Sequence, residues 1–277
     1  MRSSVVLCLV LFSFSLFAQT NRKLPNGQLA YYGEAFFKDK PNKDSIYKIL
    51  NENHTVVEGK HDAITSGCQV QSGQCYRHTS LGYDNARRIM YGEIFIKKDE
   101  KGNYLQDVYC GKKFYFREVG DVFQMGNEVN TEHTWPQSKF NGNFDKNMQK
   151  SDMHHLYPTD SMANNRRGNH PFGNVGRVHD ELNVQNCSSS ELGDISGHFV
   201  FSPPKEHRGN VARSLFYFAT RYRLFIGPAE EMILKLWHSA DPVDESEISN
   251  HEQIAKYQKV RNPFVDFPQL VEKVADF

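Results

Sequence analysis

Asn130-Thr-Glu-His-Thr-Trp-Pro136, Ser151-Asp-Met-His-His-Leu-Tyr-Pro158 and Asn164-Asn-Arg-Arg-Gly-Asn169 fall within 40 residues and decide how the chain is read. They gather a carboxylate beside an imidazole (Glu132, His133), two further histidines (His154, His155), two arginines and several asparagines. Phosphodiester cleavage needs a group that takes a proton from water, positive charge for the transition state, and something to stabilise the leaving oxygen. A neutral imidazole can take the proton near neutral pH. A hard divalent cation held by oxygen ligands can do the other two jobs, and Glu and Asn side chains suit Mg2+, which keeps several of its waters. A lone histidine is more often a hydrogen-bonded structural residue. The clustering, and no single residue, points to chemistry.

Working outward, Asp160 is of a residue type that caps helices. Downstream, Val211, Leu215, Phe218, Ala219, Tyr222 and Phe225 repeat at helical spacing and predict one face of a long helix. Gly227-Pro228 stops it, and Pro228 can open a second helix through Met232, Ile233, Leu236 and Trp237. A third is expected over Glu247 to Lys259, before Asn262-Pro263. Upstream, Asp44 to Asn51 reads as a short helix, Gly59 to Gly73 as loop, and Tyr91–Lys97 with Tyr104–Tyr109 as a strand pair, unless a helix from Asp84 runs into its first member.

The N-terminus carries one charge, Arg2, then an apolar run from Val5 to Phe17 and the small residue Ala18. That is the pattern of a cleaved leader over residues 1–19 rather than a membrane anchor, since the run falls short of the roughly 20 apolar residues a span requires. No second long apolar run follows, so no membrane association is expected afterwards. The 33 basic and 33 acidic residues balance, which counts mildly against a polyanion ligand. Lys205, Arg208, Arg213, Arg221 and Arg223 concentrate positive charge locally, although a run of this kind can equally be a solvated helix face. Four cysteines remain beyond the leader: Cys68, Cys75, Cys110 and Cys187. In an exported chain they suggest disulfides with three pairings open, and Cys68 and Cys75 could close the loop between them.

The three motifs, together with Gly209-Asn-Val-Ala-Arg-Ser-Leu-Phe-Tyr, Trp237 with Asp241-Pro-Val, and Gln258 with Arg261-Asn-Pro-Phe, resemble the bacterial secreted endonuclease I family in order and spacing. The resemblance runs from Tyr31 to the C-terminus, weakly before Cys110 and strongly afterwards. It implies an α+β fold: a mixed α/β nuclease domain over residues 20–277, with an embedded ββα-metal motif at about 128–170 and a helical C-terminal third. By the same resemblance His133 is the general base, Glu132 and Asn164 hold one Mg2+ (Mn2+ or Ca2+ as alternatives), and Arg167 contacts a phosphate or braces the motif. His154 and His155 support the motif. The expected activity is hydrolysis of DNA, RNA or both with low sequence specificity, leaving 5′-phosphate ends, with Lys205 and Arg208 as substrate contacts. Two other readings use the same residues: a hydrolase of another phosphoester, and a secreted metal-stabilised binding module. Two features stand against a simple transfer. Lys150 occupies a position where some members have an acid, and adjacent strand residues such as Glu132 and His133 face opposite ways, so a bulge, a strand end or water must bring them to one site.

Overall fold

The computed structural model describes residues 20–68, 74–179, 184, 186, 187 and 189–277; the expected leader lies outside them. Helices α1 (Gly33–Lys38) and α2 (Lys43–Asn51) come first. Asn42 caps α2 by accepting from Ser45 N at 2.9 Å, and Ile46, Ile49 and Leu50 are buried on one face as their spacing predicts. An antiparallel sheet follows, with β1 (Asn53–Thr55) between β2 (Ala63–Thr65) and β3 (Cys75–Tyr76). β2 corrects the loop reading of Gly59–Gly73: three residues there are held extended by pairing with β1, which their own composition does not reveal. Residues 69–73 lie outside the described residues.

α3 (Tyr83–Ile89) runs directly into a π-helical turn, Met90–Ile94, so the strand β4 begins only at Ile96 (Ile96–Asp99). The expected strand over Tyr91–Lys97 is therefore mostly helix. Met90, Tyr91 and Ile94 are all buried, and helical spacing brings them to one side where strand alternation would expose some of them. β4 pairs with β5 (Gly102–Gln106), and β5 with β6 (Lys113–Phe116). Between β5 and β6 the chain folds round Asp107, whose carboxylate accepts from the N–H of Tyr109, Cys110 and Asp160 at 2.8, 2.8 and 3.0 Å.

After α4 (Val119–Gln124), β7 (Val129–His133) and β8 (Leu156–Asp160) form an antiparallel pair, with α5 (Lys146–Lys150) in the connection and α6 (Ser161–Arg167) following β8. Asp160 caps α6 as expected, accepting from Ala163 N at 2.9 Å. A further sheet, β9 (Arg177–Val178), β10 (Glu191–Ile195) and β11 (His198–Ser202), has β10 in the middle. The helical third comprises α7 (Arg208–Arg221), α8 (Pro228–Ala240), α9 (Glu245–Gln258) and α10 (Pro263–Asp266).

α7 is buried all round from Val211 to Arg221, the state of a helix that forms the centre of a core. It ends four residues short of the expected stripe: Arg223 takes a left-handed φ of 48°, and Phe225 is 67% exposed. Gly209 lets its first turn abut the end of α8, since a Cβ there would lie 2.0 Å from Asp241 O. Burying α7 also takes Arg213 and Arg221 inside. Arg213 donates to both Glu247 oxygens at 2.8 and 2.6 Å, and Arg221 donates to the Tyr217 hydroxyl at 2.9 Å and lies 3.5 Å from Asp152. The Lys205–Arg223 stretch is thus not one basic surface; two of its cations neutralise buried carboxylates. β7, β8 and α6 lie where two apolar cores meet. Val129, Met153 and Leu156 join Met90 and Leu105 on one side, and Trp135 and Ala163 join α7 on the other.

Candidate active site

Glu132, His133, Asn164 and Arg167 line one cleft of about 250 Å3, together with Tyr83 and Gln137. Glu132 and His133 are the last two residues of β7, and their side chains do diverge. The Glu132 carboxylate, 1% exposed, accepts from the Tyr109 hydroxyl at 2.8 Å and lies 3.2 Å from the Arg167 guanidinium. The His133 ring instead meets the Lys150 carbonyl at 3.1 Å. Both reach the cleft because the strand stops at His133 and no further turn of sheet separates them.

A carbonyl oxygen only accepts, so the His133 Nε2 carries the proton and Nδ1 keeps its lone pair. The Gln137 amide lies 3.3 Å from Nδ1, and the Thr131 backbone as well as that of Lys150 bonds the ring. Burial, and after it the neighbouring His155, lowers the His133 pKa well below the usual imidazole value, so the ring is neutral at physiological pH. His155 repeats the pattern one carbonyl away, donating Nε2–H to Gln149 O at 2.9 Å, and His154 donates to Val260 O at 2.9 Å. Both are buried and neither lines the cleft.

Burial raises the Glu132 pKa, and Arg167 and the Tyr109 hydrogen bond oppose that rise. Burial and then Glu132 push Tyr109 well above the usual phenol range, which keeps it a neutral donor. Arg167 is 2% exposed and donates to His133 O at 3.2 Å, Thr134 O at 2.6 Å and Gly168 O at 3.2 Å, with its guanidinium over the Phe172 ring. It fastens α6 to the end of β7. Asn164 donates its amide to Thr131 O at 3.4 Å, which leaves Oδ1 as its accepting end. A carboxylate and an amide oxygen form a hard donor set of the kind that suits Mg2+ with water completing the shell. Among the described residues no group of three or more His, Cys, Asp or Glu could cage a metal, so a cation here would rest on these two side chains.

The turn preceding β8 is held by Asp152. Its carboxylate accepts from Tyr217 and Tyr222 hydroxyls at 2.9 and 2.8 Å and from Gln258 at 2.7 Å. Burial works against this charge, but Arg221 and the surrounding histidines hold the pKa below the usual carboxylate range. Lys205 is exposed, while Arg208 donates to Ser202 Oγ at 2.7 Å and Pro203 O at 3.1 Å and lies over Trp237. Neither lines the cleft. Tyr109 and Gln137, which touch the acid and the base, did not stand out in the sequence. The only local cue to Tyr109 is its place beside Cys110, and its contact with Glu132 spans 23 residues. Lys150 sits with its ammonium 4.3 Å from the centre of the Tyr83 ring, at the cleft wall.

An antiparallel strand pair ends on an acid and an imidazole, and the following helix brings an amide and a guanidinium to them, a ββα arrangement. The chain belongs to the endonuclease I family, whose family model, described as Endonuclease I, matches residues 70–269. Among similar proteins, an extracellular ribonuclease of Bacillus subtilis is 31% identical over 246 residues, covering 77% of this chain and 78% of that protein. An extracellular ribonuclease of Bacillus amyloliquefaciens is 33% identical over 168 residues, 52% of this chain and 53% of its own length. An Endonuclease-1 of Buchnera aphidicola (subspecies Baizongia pistaciae) is 24% identical over 230 residues, 73% of this chain and 90% of its own.

Proposed function

We propose that this protein is an exported, Mg2+-dependent endonuclease that hydrolyses phosphodiester bonds of DNA, RNA or both with low sequence specificity. The observation that carries the proposal is the His133 ring: Nε2–H is fixed on a backbone carbonyl, Nδ1 meets the Gln137 amide, and the residue lines a cleft shared with Gln137, Glu132 and Asn164. In that setting Nδ1 takes a proton from water, and the resulting hydroxide adds to phosphorus. The P–O3′ bond breaks, and the products are a 5′-phosphate and a 3′-hydroxyl protonated from solvent. Glu132 and Asn164 Oδ1 would hold the Mg2+, which supplies positive charge against the phosphate and the departing oxygen. Tyr109 and Arg167 fix the Glu132 carboxylate, and Arg167 keeps α6 registered on β7. Low specificity follows if the grip is on phosphates, which carry no base information. Lys205 is an exposed candidate for such a grip; Arg208 would have to leave Ser202 and Pro203 to contribute.

Export is supported by the apolar leader in the sequence, by the disulfides Cys68–Cys75 and Cys110–Cys187, and by relatives named as extracellular. The test uses the purified protein with plasmid DNA and with RNA, in Mg2+ or in excess chelator. Cleavage in Mg2+ that stops on chelation while the circular dichroism spectrum is unchanged supports the proposal. Cleavage unaffected by chelator overturns it.

A further inference from the structure

β11 alternates as a strand must, and Phe199 and Phe201 share one face. Phe201 is buried against Tyr109, with ring centroids 4.8 Å apart, directly behind the residue that holds Glu132. Phe199, two positions outward, is 41% exposed. Two imidazoles flank it: His170 at 5.6 Å and His179 at 5.2 Å, both tilted 39° to its ring. His170 follows Asn169, which lines the cleft. A phenylalanine left 41% exposed while touching two imidazoles costs apolar exposure and lies outside the core clusters.

The surroundings are cationic. Lys139, Arg166 and Arg177 are exposed. Burial, then the Arg167 and Lys139 cations, lower the His170 pKa. Of the two acids of the hairpin, Asp194 is taken up by His179 at 2.9 Å and by Gly197 N at 3.0 Å, and Glu191 lies at the far end, opposite Ser202. A part-exposed aromatic ring whose His170 neighbour adjoins a cleft residue in sequence, with Arg177 two strands away across Asp194, has the two features of a single-strand binding site: a surface for a base and charge for its backbone.

The geometry points to a base-stacking subsite on Phe199, flanked by His170 and His179, which takes an unpaired nucleobase of the strand being cut and so favours single-stranded over duplex substrate. This rests on the nuclease reading above. In a duplex each base is already stacked between its neighbours and paired, so only an unpaired base can settle on the ring without an unstacking cost. Every base has a π face, so the subsite selects strandedness and not sequence.

The test measures fluorescence anisotropy of a labelled 12-nucleotide single strand of mixed sequence and of its duplex, in excess chelator so that neither is cut. Wild type, Phe199→Ala and Phe199→Trp are compared, each checked by circular dichroism. Phe199→Ala should weaken single-strand binding about five- to thirtyfold, the lower part of the range for one stacked base. Duplex binding should stay within about twofold and Phe199→Trp should bind as wild type, since a larger ring preserves stacking. Unchanged single-strand affinity in Phe199→Ala, or an equal loss on single strand and duplex, overturns the subsite. Wild-type cleavage of DNA or RNA in Mg2+, run alongside, reports separately on the nuclease reading.

Discussion

Replacing each disulfide in turn separates what the two bridges do. Cys110–Cys187 spans 77 positions and Cys68–Cys75 spans 7. If a bridge stabilises mainly by restricting the unfolded chain, its contribution grows with the logarithm of the loop it closes. That gives about 4.5 kcal/mol for the long bridge and about 2.4 kcal/mol for the short one at 25 °C. The long bridge also has a local task. Tyr109 precedes Cys110, and its carbonyl accepts from the hydroxyls of Ser189 and Ser190 at 2.9 and 2.7 Å, just beyond Cys187. The bridge therefore pins the segment whose tyrosine hydroxyl reaches Glu132. Cys110→Ser/Cys187→Ser and Cys68→Ser/Cys75→Ser are to be unfolded in urea, and their nuclease activity titrated against Mg2+. The first should lose about 4 kcal/mol and require more Mg2+ for half-maximal rate; the second should lose about 2 kcal/mol and keep the wild-type Mg2+ dependence. Equal stability losses would refute the loop-length argument. An unshifted Mg2+ curve in the long-bridge variant would refute the link from Cys110 through Tyr109 to Glu132.

His133→Ala should lower kcat by about 10² to 10⁴ at saturating Mg2+ while the fold persists; near wild-type turnover would remove His133 as the base. Tyr109→Phe should raise the Mg2+ concentration needed for half-maximal binding about 10- to 100-fold, as for other groups that orient a metal ligand, and calorimetry of Mg2+ binding would show it. Stability should fall as pH drops below about 6.5, because burial lowers His154 and His207 to about 3 in the folded chain, while the unfolded chain takes up their protons near pH 6.5. The contribution is complete above pH 6.5 and is lost toward pH 3, at about 2.7 kcal/mol per pH unit for the two groups together; urea midpoints that are equal at pH 7.5 and pH 5 would contradict it. Lys205→Ala should flatten the salt dependence of nucleic-acid binding by about one counterion, whereas Arg208→Ala should lower the thermal midpoint, and parallel salt slopes for Lys205→Ala and wild type would place the substrate elsewhere.

The local parts of the site were legible in the sequence because local rules make them. Asp160 caps α6, Glu132 and His133 lie together at the end of a strand, and Asn164 and Arg167 fall three residues apart on the following helix, so they share a face. The parts that were not legible depend on contacts far apart in the chain. Tyr109 has the composition of any strand-end tyrosine until the fold brings it to Glu132. Arg221 looks like a surface cation, and Arg213 equally like a surface cation or a buried brace, until the burial of α7 pairs them with Asp152 and Glu247. At Met90–Ile94 the helical alternative is the one the structure takes: a short apolar run satisfies strand and helix patterns alike, and only the core behind it chooses. Arg208 illustrates the opposite hazard: a basic residue near others reads as a phosphate contact, yet Trp237 lies beneath it.

The support of Asp152 has a bearing on timing. Its carboxylate draws on Tyr217, Arg221, Tyr222 and Gln258, and the Gln258 side chain also accepts from Met153 N at 2.9 Å. During synthesis the strand pair and α6 emerge about a hundred residues before Gln258 does. Until then Asp152 lacks one of its donors, and the turn that orders His154 and His155 lacks its outer clamp. A chain interrupted between Tyr222 and Gln258 thus carries every residue of the cleft and three of the four partners of Asp152, without the last. The turn before β8 is therefore fully clamped only once the last of its partners has been made.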